Sequence, residues 1–145
     1  MDPKAFEELI NELRLSLHRV TQVAEQLHAE EPISIGMRAV LEFLLNNSDS
    51  TVPAIAQSRH VSRQLIQTLV NALLEQALVA LVDNPIHRRS PLVSLTRDGE
   101  KMVQRMRRRE HRYFESLPSS VSNARITAAT KTLRAIRGEL TGTES

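Results

Sequence analysis

The chain has 145 residues, 41% hydrophobic, 25% charged and only 3% aromatic, which fits one compact aliphatic domain with flanking helices and argues against two independent domains. The lack of cysteine excludes disulfides, thiolate metal sites and thiol redox switching, and no apolar run approaches the roughly 20 residues that a membrane-spanning helix needs. Nineteen Lys and Arg against 17 Asp and Glu leave a formal charge of +2, so a polyanionic partner would have to be met by the placement of charge; nine of the basic residues fall between positions 88 and 112.

The N-terminus, Met-Asp-Pro-Lys followed by a Glu-rich stretch, lacks the basic and apolar regions of a signal peptide, and a cytoplasmic protein is expected. Residues 3 to 28 read as one long helix, with Asp2 placed to cap it, Pro3 in its first turn, and Phe6, Leu9, Ile10, Leu13, Leu17, Val20, Ala24 and Leu27 recurring every three or four positions. So long an apolar stripe exceeds what the rest of a small chain covers, and it implies a partner. Glu30, Glu31 and Pro32 end the helix. Ser34 can cap a second one through about Asn46, and Asn46 to Ser50 reads as a loop.

A short helix from about Val52 to Ser58 leads through Arg59, His60 and Val61 to a new start at Ser62, giving helix, three-residue turn, helix. On the wheel of this next helix Leu65, Ile66, Leu69, Val70, Ala72 and Leu73 fill one arc, while Arg63, Gln64, Gln67, Thr68 and Asn71 fill the other. The polar arc is nearly free of acid, unlike an ordinary solvated face that mixes Glu with Lys or Arg. Leu78 to Val82 and Leu92 to Leu95 read as two strands joined by a basic turn, Asp-Asn-Pro-Ile-His-Arg-Arg-Ser-Pro. Thr96 then caps a helix with Met102, Val103, Met106, Tyr113, Phe114 and Leu117 on its apolar side. After Pro118 a final helix shows Ile126, Ala129, Leu133, Ile136 and Leu140 at steps of three and four, a seam suited to helix packing.

These elements make a mainly α fold with a small β wing, a winged helix-turn-helix with dimerisation helices at both ends. The expected segments are 1–33 for the N-terminal dimerisation helix, 34–100 for the DNA-binding lobe and 101–145 for the C-terminal dimerisation helices. The B-DNA major groove, about 12 Å wide, admits one helix whose first turns reach base edges. Arg63 suits the O6 and N7 acceptors of guanine, Gln64 or Gln67 the N6 and N7 of adenine, and Ser62 and Thr68 a phosphate or a thymine methyl. Arg88 and Arg89 at the hairpin tip suit a narrow minor groove, and His87 a phosphate. Arg59 and His60 could reach phosphate or serve the turn. Arg105, Arg108, Arg109 and Arg112 form a stripe read as structural, with Glu7, Glu8 and Glu12 as candidate partners. The five dispersed histidines offer no metal site, no cofactor is expected, and the absence of a nucleophile elbow, phosphate loop or catalytic carboxylate pair speaks against an enzyme.

The segment from Leu78 to Gly99 resembles the MarR family of bacterial transcriptional regulators, whose wing ends in a pattern near Asp-Pro-x-Asp-Arg-Arg-x5-Leu-Thr-x-x-Gly; here Asn84, Pro85, His87, Arg88, Arg89, Leu95, Thr96 and Gly99 stand at the matching places. The resemblance implies a homodimer with intertwined terminal helices, a palindromic operator in double-stranded DNA, and often a small phenolic or otherwise apolar effector. The chain departs from the pattern at His87, where the family usually has an aspartate bracing a wing arginine. Asp83 could take over that pairing, or His87 could face phosphate. The expected function is a dimeric DNA-binding regulator, a repressor released by a small ligand; the alternative is a winged-helix protein-interaction module, an adaptor or antirepressor, that does not bind DNA.

Overall fold

The computed structural model describes residues 1–141, so the last four residues of the segment expected at 101–145 lie outside the described residues. Contacts divide the chain into two compact units, one running from Met1 to Arg112 and the other from Tyr113 onward.

The first unit opens with α1 (Pro3–Leu27), where Asp2 accepts a hydrogen bond from the Lys4 amide and Pro3 occupies the first turn. None of its residues is buried, and Leu15, Leu17 and Val20 are 58%, 68% and 59% exposed. In α2 (Ile35–Asn47) the Ser34 hydroxyl caps the Met37 amide at 3.1 Å. This helix runs one residue beyond the expected end, and the segment expected as loop holds a two-residue strand, β1 (Ser50–Thr51). Then come α3 (Val52–Arg59), α4 (Arg63–Glu75), β2 (Val79–Val82), β3 (Leu92–Leu95) and α5 (Arg97–Ser116). The sheet is antiparallel in the order β1-β3-β2, with Leu81 opposite Val93 and Val82 opposite Leu92. The expected hairpin is therefore present, with β1 on its far edge pairing Ser50 with Val93.

One aliphatic core joins these elements: Val40, Leu41 and Leu44 of α2, Ile55 of α3, Ile66, Val70 and Leu73 of α4, Val79 and Val93 of the sheet, and Met102, Val103 and Met106 of α5. Burial of each such side chain contributes roughly 1.5–3 kcal/mol, so this cluster fixes how α4 and the hairpin face one another. Leu65, assigned from the wheel to the buried arc, is 46% exposed instead. It lies at the edge of that arc, where the core already ends against Leu69 and Ala72.

The second unit begins in the last turn of α5 and contains α6 (Asn123–Thr141). Tyr113 and Phe114 meet edge to face at 5.7 Å. Of the expected apolar side of α5, Phe114 and Leu117 are 52% and 44% exposed. On α6 the seam is open as well, with Ile126 and Leu140 more than half exposed. Among the described residues no helix is long and apolar enough to cross a membrane.

Candidate nucleic-acid interface

The turn between α3 and α4 is set by backbone chemistry. Thr51 caps α3 through its hydroxyl, and α3 ends at His60, whose backbone is left-handed (φ 54°, ψ 43°) and whose N–H reaches the Ala56 and Gln57 carbonyls. The Val61 amide also donates to Ala56, at 3.1 Å. His60 thus takes the turn role, a conformation costing a non-glycine residue about 1–2 kcal/mol, while its side chain stays exposed. Two residues on, the Ser62 hydroxyl accepts from the Leu65 amide at 3.1 Å and starts α4. Ser62 is therefore a cap first, at the end of a helix whose free backbone donors favour anions.

The exposed face of α4 carries Arg63, Gln64, Gln67, Thr68 and Asn71, as its wheel implied. Gln67 donates to the Asn71 side-chain oxygen at 2.9 Å, and the Thr68 hydroxyl donates to the Gln64 carbonyl at 3.0 Å. Thr68 keeps only an acceptor for an outside donor, and Gln67 is held in a defined orientation. Arg63, Gln64 and Gln67 meet Arg89, Leu81 and Pro91 of the hairpin around an open recess of about 370 Å³ that contains no acidic side chain. His87 and Arg88 lie outside it, exposed at the tip of the wing. The recess therefore brings together four of the eight residues singled out in the sequence.

The hairpin tip is closed by its own hydrogen bonds. The Asn84 side chain accepts from the Ile86 amide at 3.1 Å and donates to the Ser90 carbonyl at 3.0 Å, and the Ser90 amide donates to the His87 carbonyl at 3.2 Å. Arg88 and Arg89 are the two central residues of that last turn. No Asp83 ion pair with either arginine is found among the described residues, so the substitute brace considered for Asp83 is absent. Farther along, Thr96 donates to the Ala77 carbonyl at 2.7 Å and caps Gly99, joining the strand before the wing to the helix after it.

Three arginines of α5, Arg105, Arg107 and Arg109, are occupied elsewhere. Arg105 and Arg109 both pair with Glu31, at 3.0 and 3.2 Å, and Arg109 also donates to the Leu27 carbonyl at 3.0 Å. This gives Arg105 and Arg109 of the stripe a structural use, with Glu31 of the α1–α2 turn in place of Glu7, Glu8 and Glu12, whereas Arg108 and Arg112 enter no ion pair among the described residues. Beside it, Arg38 holds Glu110 through both guanidinium nitrogens and Glu42 at 2.8 Å, and His28, buried at the end of α1, meets Glu110 at 3.0 Å. Hydrogen bonding from Arg105, against an opposing burial cost, holds the Glu31 carboxyl below the usual range. For Glu110 burial pushes upward, and the bonds from Arg38 and His28 more than offset it, so its carboxyl too is lowered. Neither Glu31 nor His28 was legible as a partner from one sequence, since each meets residues more than 70 positions away. By contrast, Arg63, Arg88 and Arg89 enter no ion pair among the described residues.

The stretch from α2 through the recess to the wing, residues 38–90, matches the family model described as MarR family. This segment is similar to the MarR family. Among relatives, an uncharacterized protein of Mycobacterium tuberculosis is 36% identical over 84 residues, covering 58% of this chain; the match spans 59% of that relative's length. Of solved structures, a Staphylococcus aureus MarR in complex with salicylate and kanamycin superimposes with a TM-score of 0.86 at 14% identity, covering 97% of this chain and 95% of that one. Bordetella bronchiseptica BpsR, described for the regulation of its DNA binding by 6-hydroxynicotinic acid, gives 0.75 at 20% identity, with 88% and 91% covered. At these identities the two structures establish the MarR fold of the chain.

Proposed function

We propose that this chain is a transcriptional regulator of the MarR kind that binds double-stranded DNA as a homodimer, α4 entering the major groove and the wing tip the minor groove. The observation that carries the reading is the acid-free recess in which Arg63, Gln64 and Gln67 of α4 face Arg89 of the wing. A cluster of cations with no internal partner, next to amides able to pair with base edges, matches the electrostatic and hydrogen-bonding needs of a duplex. Arg63 and the two glutamines read bases; Ser62 and His87 contact phosphate; Thr68, its hydroxyl proton already given to the Gln64 carbonyl, offers its methyl to a thymine; Arg88 and Arg89 enter the minor groove.

The exposed apolar surface of α1 and α6 supports pairing of two chains, which sets two α4 helices about 34 Å apart for successive half-sites of a palindrome. The proposed domain roles follow: residues 1–33 and 101–145 for pairing, 34–100 for DNA. The protein acts in the cytoplasm as a repressor, without enzymatic turnover. A small aromatic acid, of the kind named with the two regulators compared above, releases it by favouring a dimer geometry that mismatches the operator spacing.

Selection of duplexes from a random pool tests this reading directly and should return a palindrome. On that duplex, replacing Arg88 and Arg89 together by Ala should weaken binding to all sequences and reduce its salt dependence, whereas Gln67→Ala should relax preference at one base position. A protein-interaction module of the same fold would show neither effect, and failure to enrich any duplex would reject the DNA assignment.

A further inference from the structure

The wing arginines work only if their turn is held in one shape, and the chain lacks both the Asp83 pairing and an acid at position 87 that could hold it. We propose that Asn84 is the positioning residue of the wing: its side-chain amide clamps the loop from 84 to 90 and presents Arg88 and Arg89 pre-ordered to DNA. The proposal rests on the DNA reading above and assigns Asn84 no contact with the duplex.

The geometry uses both ends of the amide. The oxygen accepts from the Ile86 amide at 3.1 Å, a local turn that aspartate or serine could also make. The nitrogen donates across the loop to the Ser90 carbonyl at 3.0 Å, and the position is part-buried. Only a residue carrying a donor and an acceptor on one planar group closes both bonds; a carboxylate would set a second acceptor against that carbonyl. Asn84 precedes Pro85 and Ser90 precedes Pro91, and a residue before proline is confined to extended backbone. The clamp thus joins two residues whose backbones are already restricted. Between them lies the turn in which the Ser90 amide reaches the His87 carbonyl, with Arg88 and Arg89 at its centre. The ordering cost of two arginine-bearing residues is met in the free protein instead of on binding.

Asn84→Ser provides the test, since serine keeps an oxygen for the Ile86 amide, cannot reach across to Ser90, and leaves the charge unchanged. Binding is measured on the duplex selected by the wild-type protein across a series of salt concentrations, with the Arg88→Ala, Arg89→Ala double variant alongside. Loss of one ordering hydrogen bond predicts about threefold to tenfold weaker binding. The salt slope should stay at its wild-type value, because the arginines still enter the minor groove once bound and neutralise the same phosphate charge, and the backbone order parameters of Arg88 and Arg89 in the free protein should fall below about 0.6. Wild-type affinity for the serine variant, beside a weakened double-arginine variant, would overturn the role of Asn84 and leave the DNA reading standing. A reduced salt slope in the serine variant would overturn it too, by making Asn84 part of the contact. Should the double-arginine variant bind like wild type, the wing's part in DNA binding fails and the clamp loses its purpose with it.

Discussion

Gly99 gives the sharpest test of how the wing is joined to the helix behind it. A methyl group built on its Cα would stand 2.0 Å from the Leu78 carbonyl oxygen and 3.0 Å from the carbon of that carbonyl. Ordinary contacts begin near 3.4 Å, so about 1 Å or more must be yielded, and the obstacle is backbone. That same carbonyl accepts from the Thr96 amide at 3.1 Å, one residue before α5 starts, and the neighbouring Ala77 carbonyl accepts from the Thr96 hydroxyl at 2.7 Å. Pushing α5 away to make room therefore strains two hydrogen bonds, each worth about 1 kcal/mol, and loosens the packing of Met102 and Val103 beneath. Overpacking adds about 1–3 kcal/mol, against which the better helix propensity of alanine returns at most about 1. The expected cost of Gly99→Ala is about 3 kcal/mol, read as a lowered urea midpoint at fixed protein concentration. Gly36 and Gly138 serve as controls. At Gly36 the added carbon meets only the flexible end of Leu69 at 3.0 Å, and at Gly138 it meets nothing within 4 Å, so Gly36→Ala should be close to neutral and Gly138→Ala should stabilise by up to about 1 kcal/mol. If Gly99→Ala were as stable as the wild type, the close approach of α5 to Leu78 would not exist as described.

The ion cluster makes a second set of outcomes. Glu110→Ala should destabilise by about 2 kcal/mol, because it leaves the largely buried Arg38, whose Nε already lacks a partner, with Glu42 alone, while the double replacement Arg38→Met, Glu110→Leu should recover most of the loss in thermal melts. Glu31 and Glu110 have lowered carboxyl pKa values in the fold, so their stabilisation is complete above the unfolded carboxylate value, about 4.3, and is lost as pH falls through the depressed folded values. Urea midpoints should therefore hold steady from pH 7 to about 5 and fall below it, less steeply in Glu31→Gln than in the wild type. His60→Val should cost about 1–2 kcal/mol by chemical denaturation, because a β-branched residue resists φ 54°, whereas His60→Gly should cost nothing measurable.

What the sequence made legible was the part governed by local chemistry. Asp2, Ser34, Ser62 and Thr96 each cap the helix their position implied, and the two hairpin strands stand where branched aliphatics lie between turn residues. Period and capping act within a few residues, so one chain suffices to read them. The polar arc of α4 was legible for the same reason. Strand β1 was not, because two residues carry no alternation; it exists because β3 offers it an edge. Leu65 was misplaced because a wheel marks the apolar side of a helix and not where the core beside it ends. The partner of Arg105 and Arg109 was sought among acids of α1, but helix crossing decides which acid comes near, and the crossing puts Glu31 there. The clamp at Asn84 hid for a smaller reason: Asn-Pro announces a turn without saying which carbonyl its amide will find six residues on.

A net charge of +2 looks too small for a polyanion, but what a polyanion meets is the local charge and not the sum. Arg38, Arg105, Arg107 and Arg109 have acidic partners in Glu31, Glu42 and Glu110, so their charge is largely spent inside the first unit. What α3, α4 and the wing present is uncancelled: Arg59, Arg63, Arg88 and Arg89 enter no ion pair among the described residues, and the recess between Arg63 and Arg89 holds no acid. If Arg63 goes to a base and the other three each neutralise one phosphate charge, Arg88 and Arg89 doing so from the minor groove, two lobes neutralise six phosphates, and the logarithm of the affinity should fall against that of salt with a slope of about −5. Removing Arg88 and Arg89 from both lobes takes away four and should leave about −2. Measuring both slopes on the selected duplex by fluorescence anisotropy separates two pictures of the molecule. A wild-type slope near −9 that persists when Arg108 and Arg112, which enter no ion pair among the described residues, are replaced by Ala would mean that arginines of α5 leave Glu31 and Glu42 to join the DNA, and the cluster that ties α5 to the α1–α2 turn would then open on binding. A slope near −5 keeps that cluster closed and makes it the rigid base from which the wing is aimed.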